Sequence, residues 1–83
     1  MTLREALEQR GKARCDLHSR WMILTATVTR TQAQGETEYR VRIVQAREKG
    51  ELTCTARLAS LLDVERLLKM HGAEPEQSYW KPL

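Results

Sequence analysis

The side chains with the most chemistry to offer in this chain are arginines spaced two apart among small and apolar residues. Arg40 and Arg42 alternate with Tyr39, Val41 and Ile43, and Arg57 follows Thr53 and Thr55 in the same rhythm. A period of two puts alternate residues on one face of a strand. The planar, weakly hydrated guanidinium suits phosphate and carboxylate better than an ammonium does, and ten of the fourteen cations are Arg. Other chemistry is poorly supplied. Cys15 and His18 have CxxH spacing, and Cys54 with His71 would complete a four-ligand zinc set. Cys54, however, falls on the inward side of its run, and His71 falls where a helix end favours a cation, so no metal or other cofactor is expected. Glu5 with Glu8 and Glu48 with Glu51 read as solvated pairs. The chain has no nucleophile elbow, Walker loop, dinucleotide fingerprint or HExxH motif. No catalytic residue is nominated, and the chain is read as a non-enzyme.

The elements that must position these arginines follow from capping and periodicity. Thr2 with Glu5 has capping-box spacing ahead of Leu3, Ala6 and Leu7, and Gly11 is a stop, which predicts a helix over about 2–10. Residues 11–20, with Lys12, Arg14 and Arg20, read as a polar, basic connector. Alternation and β-branched content predict strands over 21–30, 38–47 and 52–58. Ser60 or Asp63 caps a helix over about 62–71 that ends before Gly72. The tail, 73–83, carries Tyr79-Trp80 and either folds back over the sheet edge or stays mobile. The fold class is therefore α+β: one domain over 1–83, a three-stranded antiparallel meander flanked by two helices in the order αβββα, with a short aromatic tail.

A first hairpin that sets Leu24 against Ile43 also sets Thr25 against Arg42 and Thr27 against Arg40. A two-residue Lys49-Gly50 turn then brings Arg57 opposite Arg42. Like charges in a direct cross-strand pair repel, so such a face splays its side chains into water or meets an anion. The candidate nucleic-acid surface is Arg40, Arg42 and Arg57 among Thr25, Thr27, Thr53 and Thr55. Two other readings stay open: an ordinary solvated Thr/Arg face, and a one-residue slip that exchanges the faces. Trp21 and Ile23 form an apolar corner beside Val44 and Ala46. With Tyr79 and Trp80 they are the candidate protein-docking residues. Cys54 is expected in the core and Cys15 in the connector, giving one fast-reacting thiol.

Charge and length set limits. The net charge of +3 is concentrated in residues 1–59, which carry eleven basic and seven acidic side chains. An 83-residue chain without Phe has room for one core, built from Leu, Val, Ile, Met and two Trp. No apolar run approaches the roughly 20 residues that cross a bilayer, and two distant cysteines do not make a disulfide scaffold, so a cytoplasmic protein is expected.

The order helix, three strands, helix resembles that of double-stranded-RNA-binding domains. The sheet followed by a helix resembles the arm-binding domains of tyrosine-type integrases, which press their sheet into the DNA major groove. At the opening of the last helix this chain has Ser60-Leu-Leu-Asp63, where the RNA-binding family is expected to carry a lysine cluster. Small sheet-plus-helix proteins are also common among phage and mobile-element inhibitors, including anti-CRISPR proteins. The first expectation is a binding module, of bacterial mobile-element or phage type, that presents its Arg/Thr face to nucleic acid. The alternative is an adaptor or inhibitor docking a larger protein or nucleoprotein complex through its apolar corner and tail. Neither membrane nor small-molecule substrate is called for.

Overall fold

Thr2 and Glu5 close a reciprocal capping box and start the helix α1 (Leu3–Arg10), which Gly11 ends in the left-handed conformation at φ 69° while its N–H bonds the Leu7 carbonyl. The computed structural model describes residues 1–83. After α1 come β1 (Lys12–His18), β2 (Met22–Ala33), β3 (Glu36–Arg47), β4 (Gly50–Leu58), α2 (Leu61–Met70) and β5 (Lys81–Pro82). Ser60 caps α2 by accepting from the Asp63 N–H. The strands form one antiparallel sheet in the order β4-β3-β2-β1-β5.

The expected αβββα order is corrected at both ends of the meander. Residues 12–18, read as a connector, are a strand whose burial alternates strictly, with Ala13 and Cys15 buried between exposed Lys12, Arg14 and Asp16. Three charged side chains in five residues look like a solvated loop in a composition count. In fact they occupy the outward positions of a half-buried strand. The tail folds back and adds β5 beside β1, pairing Ala13 with Pro82 and Arg14 with Lys81. With five strands, the element order no longer matches that of the RNA-binding domains it resembles.

Register is set by turn chemistry. Gln34 (φ 56°) and Gly35 (φ 80°) form the two-residue β2–β3 turn, in which both central residues take positive φ as a primed hairpin turn requires. Ala26 therefore meets Ile43, Thr25 meets Val44, Thr27 meets Arg42 and Thr29 meets Arg40. This is two residues away from the expected pairing and leaves every residue on its expected face, because a slip of two preserves the pleat. The second turn is Glu48-Lys49 rather than Lys49-Gly50, so Arg57 stands opposite Arg40 and Arg42 opposite Thr55.

Both helices cover one face of the sheet. The core joins Leu3, Ala6 and Leu7 of α1, Val64 and Leu68 of α2, Ala13 and Cys15 of β1, Leu24, Ala26 and Val28 of β2, Val41 and Ile43 of β3, and Trp80. Two polar contacts fasten the layers. The Arg4 guanidinium lies 2.7 Å from the largely buried carboxylate of Glu65, tying α1 to α2. Buried Gln45 donates its amide N–H to the His71 carbonyl at 3.2 Å, tying the end of α2 to the sheet. The tail is held as firmly: Leu3 N–H bonds Pro75 O, Trp80 N–H bonds Met1 O, and Leu83 N–H bonds Lys12 O, each at 2.9 Å.

Candidate nucleic-acid interface

The face without helices carries two adjacent cross-strand rows of cations. One runs Lys12, Thr29, Arg40, Arg57 across β1, β2, β3 and β4. The other runs Lys81, Arg14, Thr27, Arg42, Thr55 from β5 to β4. Neighbouring strands are ~4.8 Å apart and like-facing residues along a strand ~6.7 Å apart. Five of these cations, Lys12, Arg14, Arg40, Arg42 and Arg57, thus line a shallow, open depression floored by threonine, and Lys81 extends its row beside Arg14. Arg40, Arg42 and Arg57 are brought together as expected, with Thr27 and Thr55 between them; Thr25 and Thr53 lie one row further along.

Lys12, Arg14 and Lys81 are the members of this surface that the sequence reading missed. The signal for the first two was present in the alternation Lys12-Ala-Arg-Cys-Asp-Leu-His18, which is as regular as that of β3. No local pattern marks Lys81, since a two-residue strand containing Pro82 is placed by the folding-back of the tail.

The acids on this face are few and specifically placed. Asp16 takes Arg14 Nε and Nη2 at 3.0 to 3.3 Å and the Thr25 hydroxyl at 2.9 Å. The hydrogen bonds from Arg14, aided by Thr25, hold the Asp16 carboxyl below its ordinary range, and the same contact raises Arg14. Glu38 stands 3.9 Å from Arg57, which is too long for a hydrogen bond. Lys12, Arg40, Arg42 and Lys81 enter none of the chain's four ion pairs.

The docking candidates separate. Trp21, 73% exposed at the β1–β2 turn, lies under the Arg20 guanidinium at 5.3 Å from its ring centroid. Ile23 is 45% exposed and pairs with Ala46, while Val44, also expected at this corner, pairs with Thr25. Trp80 does not belong to it. It is 1% exposed within the core, its indole N–H bonding Glu74 O at 3.0 Å, and a buried ring is closed to a partner. Tyr79 packs beside it with ring centroids 6.3 Å apart and accepts the Glu74 N–H through its hydroxyl.

The thiols exchange their expected environments. Cys15 is buried, and burial pushes its thiol up to about 11, whereas Cys54 is only half-buried. They occupy one cross-strand row, Cys15, Ala26, Ile43, Cys54, and are therefore separated by three strand spacings, ~14 Å. That is too far for a disulfide or a shared metal. No three His, Cys, Asp or Glu side chains converge as a metal site would need. No helix is long and apolar enough to cross a membrane.

No protein-family model matches the chain, and neither a curated protein nor a solved structure matches it. The fold and the basic face define a small α+β domain with a five-stranded antiparallel sheet open on one side.

Proposed function

We propose that this chain is a non-enzymatic module that binds nucleic acid through the open face of its sheet. The observation that carries the reading is the placement of Arg40 directly across from Arg57, with Arg42 and Lys12 alongside and no acid within salt-bridge reach of Arg40, Arg42 or Lys12. Folding gains nothing from collecting like charges in this way, whereas a polyanion neutralises them together and releases its condensed counterions. Phosphates would be taken by Lys12, Arg40, Arg42, Arg57 and Lys81. The threonine hydroxyls between them are further donors to phosphate oxygens, and the guanidinium forks can also reach base edges.

The face carries no aromatic ring among its Arg and Thr rows, so it offers no platform on which unpaired bases could stack. The phosphate ridges of a duplex are the better match. Anisotropy titrations of labelled duplex and single strands over a range of salt concentrations test this. Tighter duplex binding is expected, with an affinity that falls steeply with salt. Absence of binding at low salt, where attraction is least screened, would reject the reading.

A second reading has its own observation, the exposure of Trp21 and Ile23 at the turn end of the same face. A protein partner docked there would keep its affinity in salt and lose it on Trp21→Ala.

A further inference from the structure

The two edges of the sheet are unlike. One is closed by β5, two residues long, in which Pro82 has no N–H to offer. The other is β4, nine residues long, with no Pro, no Lys and no neighbouring strand. Long edges without such devices are templates for pairing with another chain.

The pattern of backbone bonds shows which groups β4 leaves open. Arg30 N–H bonds Gly11 O, so the even residues of β2 turn their backbone groups toward β1 and the odd ones toward β3. Carried through the two registers, this alternation commits the even residues of β4 to β3. The N–H and C=O groups of Glu51, Thr53, Thr55 and Arg57 therefore point out from the free edge.

We propose that β4 pairs antiparallel with β4 of a second copy, joining two sheets into one about a two-fold axis at Cys54. The register that uses all nine residues sets Thr53 against Thr55, Leu52 against Ala56 and Glu51 against Arg57 of the second copy. The residues with open backbone groups then face one another, as an antiparallel ladder requires, and each end of the seam gains an opposite-charge pair on the open face. This complementarity selects a second copy as the occupant, because the strand is the partner of its own reverse. Arg57, opposed by Arg40 and only loosely approached by Glu38, acquires a carboxylate. Leu52, 59% exposed, acquires an apolar neighbour. The two basic faces come to lie side by side on one surface, with the Arg42 strands of the two copies ~14 Å apart. The pairing follows from the edge alone and does not rest on the nucleic-acid reading.

Sedimentation velocity over a wide concentration range tests it. A concentration-dependent dimer is expected. Glu51→Arg and Arg57→Glu should each raise its dissociation constant about tenfold by creating two like-charge contacts, and the double variant should restore it to within about threefold. A second readout uses Cys54, whose Cα would lie ~4.5 Å from its symmetry mate in a non-hydrogen-bonded pair, within disulfide range. Diamide, which accepts the two electrons and two protons of a pair of thiols as it is reduced to its hydrazine, should link the native protein into a dimer that survives a denaturing, non-reducing gel, whereas Cys54→Ser should run there as a monomer while still sedimenting as the non-covalent dimer. A chain that sediments as a monomer at every concentration overturns the proposal, as does a dimer indifferent to both charge reversals.

Discussion

Arg57 stands directly opposite Arg40 on the neighbouring strand, on the face that no helix covers. Facing cations on a sheet repel, and the nearest carboxylate, Glu38, is 3.9 Å from Arg57. Arg40→Thr removes the repulsion and leaves a β-branched residue well suited to a strand. Stability measured by chemical denaturation should stay within about 0.5 kcal/mol or rise slightly. Duplex affinity should fall, and the slope of log affinity against log salt should flatten by about one. A loss of stability above about 1 kcal/mol would mean that the Arg40 side chain is held by a contact that its exposure does not suggest.

Asp16 restrains the same face from within, because its carboxylate occupies Arg14 through three hydrogen bonds. Asp16→Asn removes a negative charge from beside the phosphate path and frees Arg14 to reach it. Duplex affinity should rise several-fold, with a salt slope steeper by about one. The pH dependence has a defined sign. Arg14 holds the Asp16 carboxyl below its ordinary range, so the contact adds stability above the unfolded-state value and loses it as pH falls through the lower folded-state value. Thermal melts of wild type and Asp16→Asn should therefore converge on acidification.

Trp80 is a core residue although it lies three positions from the C-terminal Leu83. It is a member of the buried cluster that joins both helices to the sheet, and its backbone and indole N–H groups are both bonded. Trp80→Ala should cost about 3–5 kcal/mol, and deletion of residues 74–83 should cost at least as much, since it also removes β5 and the Pro75 contact to Leu3. An unchanged melting temperature in the truncated chain would contradict this placement.

The parts of the fold legible in the sequence are those whose cause is local. Thr2, Glu5 and Gly11 bound α1 by capping alone, and Ser60 does the same for α2. The face assignment of Arg40, Arg42 and Arg57 survived an error of two residues in each register, because side-chain direction has period two and such a slip is invisible to it. The identity of the residue opposite Arg57 depended instead on which two residues make the β3–β4 turn, Glu48-Lys49 rather than Lys49-Gly50. β1 was hidden by composition, since Lys12, Arg14 and Asp16 are charged and Ala13 has little strand preference. β5 has no local cause at all: it exists because burial of Trp80 carries Lys81 and Pro82 alongside β1. Half of the basic surface was lost to the sequence reading with those two strands.

The thiols give a direct check on β1, because a connector would expose Cys15 and a strand buries it. The nucleophile in thiol exchange is the thiolate, and burial holds the Cys15 thiol at about 11, so at mildly alkaline pH Cys15 should react slowly with an aromatic disulfide reagent. Cys54, half-buried on the edge strand, should react first. Cys54→Ser should abolish the fast phase and leave a single thiol that titrates only in denaturant. Stability follows the same displacement. With the folded-state value raised above the ordinary 9.0 to about 11, the neutral thiol's contribution is fully present below pH 9 and is lost as pH rises toward 11. Cys15→Ala removes that pH-dependent loss and a little core volume, so its denaturation midpoint should be lower at neutral pH and fall less steeply above pH 9. Fast modification of Cys15 in the native protein would return residues 12–18 to a solvated connector and remove Lys12 and Arg14 from the basic face.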